Sequence, residues 1–312
     1  MKITACIITI NNYNIAKTIE SVRSSCNEII VVDTGSTPEY LDWLSTQGVR
    51  IFPFKWCDDF SKARNYGISK ATGDWILVID TDEVLEQEII DMSDEFDFYF
   101  IKVGNGNEYY YNIRLFKNNL GIKYINRVHE SVEKACEKLK GSLTDISVKH
   151  EGHYLPEDVK IKKIKRNYKL LLKDKKNIGR NLHFCKHYYA VGEFHKSIKY
   201  GMKVLKQKEI NADNKADICI CIYQAYKMLG FGDMGVDFLR LSIQILPKQV
   251  KARYLICNYL YSLQKPELKG YLLNQLQAIG SIITFRDSEL SNELYLDINI
   301  VNQKIKEITQ WQ

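Results

Sequence analysis

Two aspartates, Asp80 and Asp82, flank a single threonine, Thr81, directly after the apolar run Trp75-Ile76-Leu77-Val78-Ile79. In extended backbone, residues two apart project to the same side, so both carboxylates face one way. Hard anionic oxygens in that arrangement suit Mn²⁺ or Mg²⁺, and such an ion neutralises a diphosphate. A chance acidic surface turn has the same spelling. The strand-like run before it favours the metal site, as does Asp33 at the end of an earlier apolar run, residues 29–32. Asp33 opens the turn Asp33-Thr34-Gly35-Ser36. A carboxylate there either accepts hydrogen bonds from a base or ribose or caps the N–H groups of its own turn. Arg64, within Asp59-Phe60-Ser61-Lys62-Ala63-Arg64-Asn65, either binds diphosphate or holds the acidic rim in place.

These side chains need elements to position them, and the surrounding sequence alternates in type. Residues 4–10 read as a buried strand ending in Asn11-Asn12, and 15–26 as a helix with Ile15, Ile19 and Val22 on one face. Strands follow at 28–32, 49–54 and 75–79, with helices at 40–46 and 60–70 between them. That alternation predicts an α/β domain with a mainly parallel, Rossmann-like sheet covered on both faces. Ligands of such sheets bind beyond the carboxyl ends of the strands, so Asn11, Asp33 and Asp80 collect on one rim. Residues 96–103 and 109–116 read as further strands. The second alternates through Tyr109, Tyr111, Ile113 and Leu115, which suits an antiparallel addition.

From about residue 156 the period becomes helical throughout. A tyrosine-rich segment ending in Gly192 recurs 38 residues later at Gly230, and 259–263 is a weaker third copy without the glycine. Helix, glycine turn and helix near this period resemble tetratricopeptide repeats rather than an ordinary bundle. The expected domains are therefore 1–155 and 156–312.

Composition limits the alternatives. Apolar residues make up 45% and charged residues 26% of the 312, ordinary values for a soluble globular chain. Apolar runs such as 5–8 and 75–79 fall far short of the roughly 18 residues of a membrane span, so no integral membrane segment is expected. The start lacks the long apolar region and cleavage site of a signal peptide, which predicts a cytoplasmic protein. The eight cysteines are scattered without a CxxC pair and read as reduced core thiols. Residues 158–208 carry 16 Lys/Arg against 3 Asp/Glu, whereas the whole chain is only +6. This basic stretch lacks the glycine and aromatic signatures of nucleic-acid binding, so no nucleic-acid partner is expected. It suits an acidic protein acceptor or simple solubility. His183 and His187 share a helix face but have no third ligand nearby, and read as packing.

The blocks Ile8–Asn11, Asp33-Thr34-Gly35-Ser36, Trp56, 60–65, Gly73-Asp74-Trp75-Ile76-Leu77 and Asp80-Thr81-Asp82-Glu83 resemble, in order and spacing, family 2 glycosyltransferases of GT-A fold. The likeness is greatest to the branch that joins this domain to tetratricopeptide-like helices, the SunS-like and bacterial protein glycosyltransferases. It covers about residues 3–155 in motifs and the remainder only in pattern. The resemblance implies transfer of a sugar, with inversion, from a nucleotide-diphosphate donor, by family frequency a UDP-sugar. It places Ile8, Asn11 and Asp33 at the nucleoside, and Asp80, Thr81 and Asp82 at ribose, metal and diphosphate. Arg127-Val128-His129-Glu130 resembles a segment facing the acceptor, with Glu130 as candidate general base and Arg127 as a possible diphosphate contact. Glu130 also reads as a plain surface acid. His150-Glu151-Gly152-His153-Tyr154 resembles a stretch in which a histidine completes the metal's coordination. His150 matches by position, and His153 departs from the pattern by standing where an aromatic is usual. The expected ligand set is thus Asp80, Asp82 and His150.

The helical domain either presents a protein or peptide acceptor or mediates self-association into a homo-oligomer. Rival readings are transfer to a lipid or cell-surface polysaccharide, a nucleotidyltransferase, and a non-catalytic scaffold. No amphipathic membrane helix stands out for the first. The second expects a glycine-rich loop after the first strand, where 9–13 has no glycine. Intact Asp80, Asp82 and His150 argue against the third.

Overall fold

The computed structural model describes residues 1–90, 92–105, 108–150, 157–285 and 298–310. The chain divides into two compact units, Met1–Lys176 and Asn177–Gln312. The boundary expected at 155/156 lies outside the described residues. The helix that follows it, α5 (Glu157–Lys173), belongs to the first unit. Lys173 pairs there with Asp58, and the Arg166 guanidinium lies over the Phe60 ring.

The first unit contains β1 (Ile3–Thr9), α1 (Ile15–Val22), β2 (Glu28–Asp33), α2 (Pro38–Ser45), β3 (Arg50–Pro53), α3 (Phe60–Ile68), β4 (Trp75–Val78), β5 (Glu83–Leu85), β6 (Phe98–Asn105), β7 (Glu108–Lys117), α4 (Glu133–Cys136), β8 (Gly141–His150) and α5. The strands form one eight-stranded sheet, in the order β3-β2-β1-β4-β7-β6-β8-β5. Pairs β1–β2, β2–β3, β1–β4 and β6–β8 are parallel, and β4–β7, β6–β7 and β5–β8 antiparallel. Only β5 and β7 therefore run against the rest, so the sheet is mainly parallel, as the alternation of elements predicts. The strands β5 and β8 and the short α4 were not expected.

The near-continuous apolar strands have a simple cause: both faces are covered. Ile3, Ala5, Ile7, Ile29, Val31 and Leu77 pack with Ile15, Ile19, Tyr40 and Leu44 from α1 and α2. Their neighbours Cys6, Ile30, Val32, Ile76 and Val78 pack on the opposite face with Ala63 of α3. Helix starts follow local chemistry. Thr37 accepts a hydrogen bond from the Tyr40 N–H and Pro38 occupies the first turn, so α2 begins two residues before its periodic stretch. Asp59 caps α3 by accepting from the Lys62 N–H. At Gly67 a Cβ would stand 2.9 Å from Val32 Cγ2, so only glycine lets α3 lie this close to β2.

The second unit holds α6 (Arg180–Ala190), α7 (Phe194–Lys206), α8 (Ala212–Met228), α9 (Gly232–Ile245), α10 (Lys251–Ser262), α11 (Lys269–Phe285) and α12 (Ile298–Thr309). Gly192 and Gly230 make the turns of the first two helix pairs with φ of +79° and +81°, where glycine avoids the Cβ penalty. The third copy keeps this conformation without the glycine, because Gln264 adopts φ 52°. All eight cysteines are free thiols, and Cys185, Cys219, Cys221 and Cys257 are buried in this unit. Among the described residues no helix is long and apolar enough to cross a membrane.

Candidate active site

The carboxyl ends of β1, β2 and β4 share one edge of the sheet, and the Asp80–Glu83 turn leaves it between β4 and β5. The turn closes on itself. The Glu83 N–H donates to the Asp80 carbonyl at 3.1 Å, and the Asp80 N–H donates to Glu83 Oε2 at 2.8 Å. Thr18 of α1 donates to the Glu83 carbonyl at 2.7 Å, and Asn12 Nδ2 donates to Thr81 Oγ1 at 2.8 Å. Thr81 thus serves the turn.

Two buried arginines converge on Asp80. Arg64 Nη2 donates to Asp80 Oδ1 and Arg64 Nε to Glu130 Oε1, both at 2.7 Å. Arg114 Nη2 donates to Glu83 Oε1 at 3.0 Å and approaches Asp80 Oδ2 at 3.4 Å. Burial alone would raise the Asp80 pKa, but Arg64 and then Arg114 outweigh it and hold the carboxyl well below the usual range. Burial has the upper hand at Glu83, whose pKa is raised despite Arg114. The Tyr124 ring lies 5.4 Å from the Arg64 guanidinium, and burial pushes its phenol up to about 12. Three buried donor atoms here, Arg64 Nη1, Arg114 Nε and Tyr124 Oη, have no hydrogen-bond partner among the described residues.

His150 reaches this corner through β8, which pairs with β5 so that His150 stands opposite Glu83. Its Nε2 lies 3.8 Å from Asp82 Oδ2 and its Nδ1 3.9 Å from Glu83 Oε1. The structure thus brings Asp80, Asp82, His150, Arg64 and Glu130 into one neighbourhood. Among the described residues there is no group of three or more His, Cys, Asp or Glu side chains that could hold a metal ion. The expected trio divides: both Asp80 oxygens face arginines, which leaves Asp82 and His150 as the pair suited to a cation. His153 lies outside the described residues.

Of the remaining predicted residues, Ile8, Asn11 and Asp33 sit along the same edge. Ile8 is half-buried against the α3-side core. Asn11 follows β1 with φ 45°, its N–H donating to Ser36 Oγ and its Oδ1 accepting from the Thr37 N–H. Asp33 is buried and accepts from the N–H groups of Gly35 and Ser36 at 3.2 and 3.1 Å, which is the capping alternative. Arg127 turns elsewhere: its Nη1 donates to the Asp58 carbonyl, and its own carbonyl accepts from the Phe60 N–H. Sequence reasoning missed Arg114, Tyr124 and the role of Glu83. Arg114 carried a signal, a lone cation inside an apolar alternation of 109–116; Tyr124 carried none.

Residues 4–96, within the first unit, match the profile described as Glycosyl transferase family 2. The SPbeta prophage-derived glycosyltransferase SunS of Bacillus subtilis is 29% identical over 98% of this chain and 75% of its own length. A TPR repeat-containing protein of Synechococcus elongatus is 35% identical over 37% of this chain; the match spans only 31% of that protein. Among solved structures, S. aureus TarS 1–349 in complex with UDP-GlcNAc aligns with a TM-score of 0.40 at 14% identity, covering 74% of this chain and 84% of that one.

Proposed function

We propose that the chain transfers a sugar from a nucleotide-diphosphate donor, a UDP-sugar by family frequency, to a protein or peptide acceptor with inversion at the anomeric carbon. The observation that supports it best is the pairing of Asp82 with His150 beside an arginine-clamped Asp80, with Glu130 on the far side of Arg64. One carboxylate and one imidazole 3.8 Å apart fit a divalent ion that takes its remaining ligands from phosphate oxygens and water. The imidazole suits Mn²⁺ better than Mg²⁺, which prefers oxygen throughout. Asp82 and His150 would hold such an ion, which would supply charge stabilisation for the departing diphosphate.

The protein's own groups do the rest. Asp33 and Asn11 order the loops that border the nucleoside site, and Arg64 fixes the Glu130 carboxylate through one oxygen. Inversion requires a single base to take the acceptor's proton as it attacks, and Glu130 has that role. The helical unit presents the acceptor, since paired-helix arrays build extended binding surfaces. Donor hydrolysis tests the reading. With UDP-, GDP- and dTDP-sugars and Mn²⁺, the expected result is turnover of at least one donor, abolished in Asp82→Ala. Absence of turnover with every donor would favour a scaffold instead.

A further inference from the structure

Neither Arg114 nor Glu83 has a part in the chemistry above, yet both are buried and charged. Glu83 is 2% exposed. Its side chain joins Arg114 Nη2 to the Asp80 N–H, while its backbone joins the Asp80 carbonyl to Thr18. Arg114 is placed by register. The strands β4 and β7 are antiparallel with Leu77 opposite Leu115, so Arg114 falls one step beyond, where β4 gives way to the turn. From that central strand its guanidinium spans Asp80 and Glu83. On the other side Glu83 stands opposite His150.

Burying such an ion pair gains little stability over apolar residues of the same volume, because desolvating both charges offsets their attraction. Its value is geometric. The strand β5 has three residues and pairs with β8, too short a ladder to fix the turn before it. Among the described residues the Asp82 carboxylate meets His150 alone, and that distance depends on where the turn is held.

We propose that Arg114 and Glu83 are positioning residues: they form a buried ionic strut that locks the Asp80–Glu83 turn against β7 and β8 and so sets Asp82 relative to His150. This rests on the donor-site reading given above. It deepens that reading by naming two residues that act on the cation site without touching donor or cation.

Binding to the full-length protein, measured by calorimetry with MnCl₂ plus UDP, GDP or dTDP, provides the test. Residues that orient metal ligands typically change metal affinity by about 10–100-fold when removed. Arg114→Met and Glu83→Gln are each expected to weaken Mn²⁺-dependent nucleotide binding at least about tenfold. Arg114→Lys, which keeps a cation but reaches one carboxylate at a time, should recover part of the loss. Thr4→Val, which removes a hydrogen bond to Glu28 at the far end of β1, serves as a destabilised control and should bind as the wild type does. Wild-type affinity in Arg114→Met and Glu83→Gln would overturn the strut. Equal losses in the control and the two variants would do the same. Should Arg114→Met fail to fold, Arg114→Lys and Glu83→Gln decide by the same criteria. A wild-type protein that binds none of the three nucleotides with Mn²⁺ would overturn the donor-site reading, and the strut with it.

Discussion

Arg64 offers the sharpest test of the site's energetics. Its guanidinium makes two charge-assisted bonds of 2.7 Å, to Asp80 and to Glu130, from a position that is 8% exposed. Replacing it with methionine keeps most of the volume and leaves both carboxylates behind. Among the described residues Asp80 then retains only the longer 3.4 Å approach of Arg114, while Glu130 loses its bond to Arg64. Breaking a buried pair from one side costs about 3–5 kcal/mol. Removing the unpartnered Arg64 Nη1 returns part of this, so a net loss of about 3 kcal/mol is expected. The pair term is separable by a double-mutant cycle with Glu130→Gln, where a charge-assisted hydrogen bond should appear as a coupling of about 1.5–3 kcal/mol. Urea unfolding followed by tryptophan fluorescence reports it, because Trp43, Trp56 and Trp75 lie in the first unit and only Trp311 lies in the second. A coupling indistinguishable from zero, or a loss below about 1 kcal/mol in Arg64→Met, would refute the view that this guanidinium organises the two carboxylates.

Three further outcomes are expected. Glu28 ties β1 to β2, accepting from Thr4 Oγ1 and the Thr72 N–H and pairing with Arg50. Burial alone would raise its pKa, but these partners outweigh it and hold it below the usual range. Its contribution is therefore complete above the unfolded carboxyl value of about 4.3 and is lost as pH falls through the folded one. Glu28→Gln should cost about 1–2 kcal/mol at pH 7, and its deficit against the wild type should shrink toward pH 3 in urea titrations. Gly67→Ala should destabilise the first unit by about 1–3 kcal/mol despite alanine's better helix propensity, and adding Val32→Ala should cost less than the two changes summed. Gln264→Gly should raise the thermal stability of the second unit, whereas Gly230→Ala should lower it, each by about 1 kcal/mol, since both positions have positive φ.

The parallel half of the first unit was readable because each strand is a short apolar run ending in polar residues. Period and punctuation there agree, and the aspartates fall at strand ends by construction. What escaped was the part of the sheet built over long separations. The strand β8 spans Gly141–His150 in the alternating sequence GSLTDISVKH, half-exposed and rich in polar residues, and β5 has three residues. Neither carries enough local pattern to announce itself; β5 is a strand because β8 pairs with it, and β8 because it lies between β6 and β5. Asp80, Asp82, His150, Arg64 and Glu130 were nameable as residue types at telling positions. Their partition into an arginine-clamped aspartate and a separate Asp82–His150 pair depends on side-chain directions that spacing does not encode. Arg114 shows the same limit, since its meaning lies in the register of β7 against β4. The weaker third helix repeat was legible except at its turn, where Gln264 takes the backbone conformation that glycine takes in the other two.

The pairing of β5 with β8 has a consequence for how the protein matures. Asp82 and His150 are separated by nearly seventy residues of chain, and the strand that delivers the histidine is the last of the sheet to leave the ribosome. Residues 1–117 hold β1–β7 and the helices α1–α3, but both cores on the sheet still lack residues that come later, Val148 on one face and Ile122, Tyr124, Val132 and Cys136 on the other. The Asp82–His150 corner forms only when β8 takes its place between β6 and β5. A product terminated before residue 141 would lack that corner altogether, together with Val148 of the core.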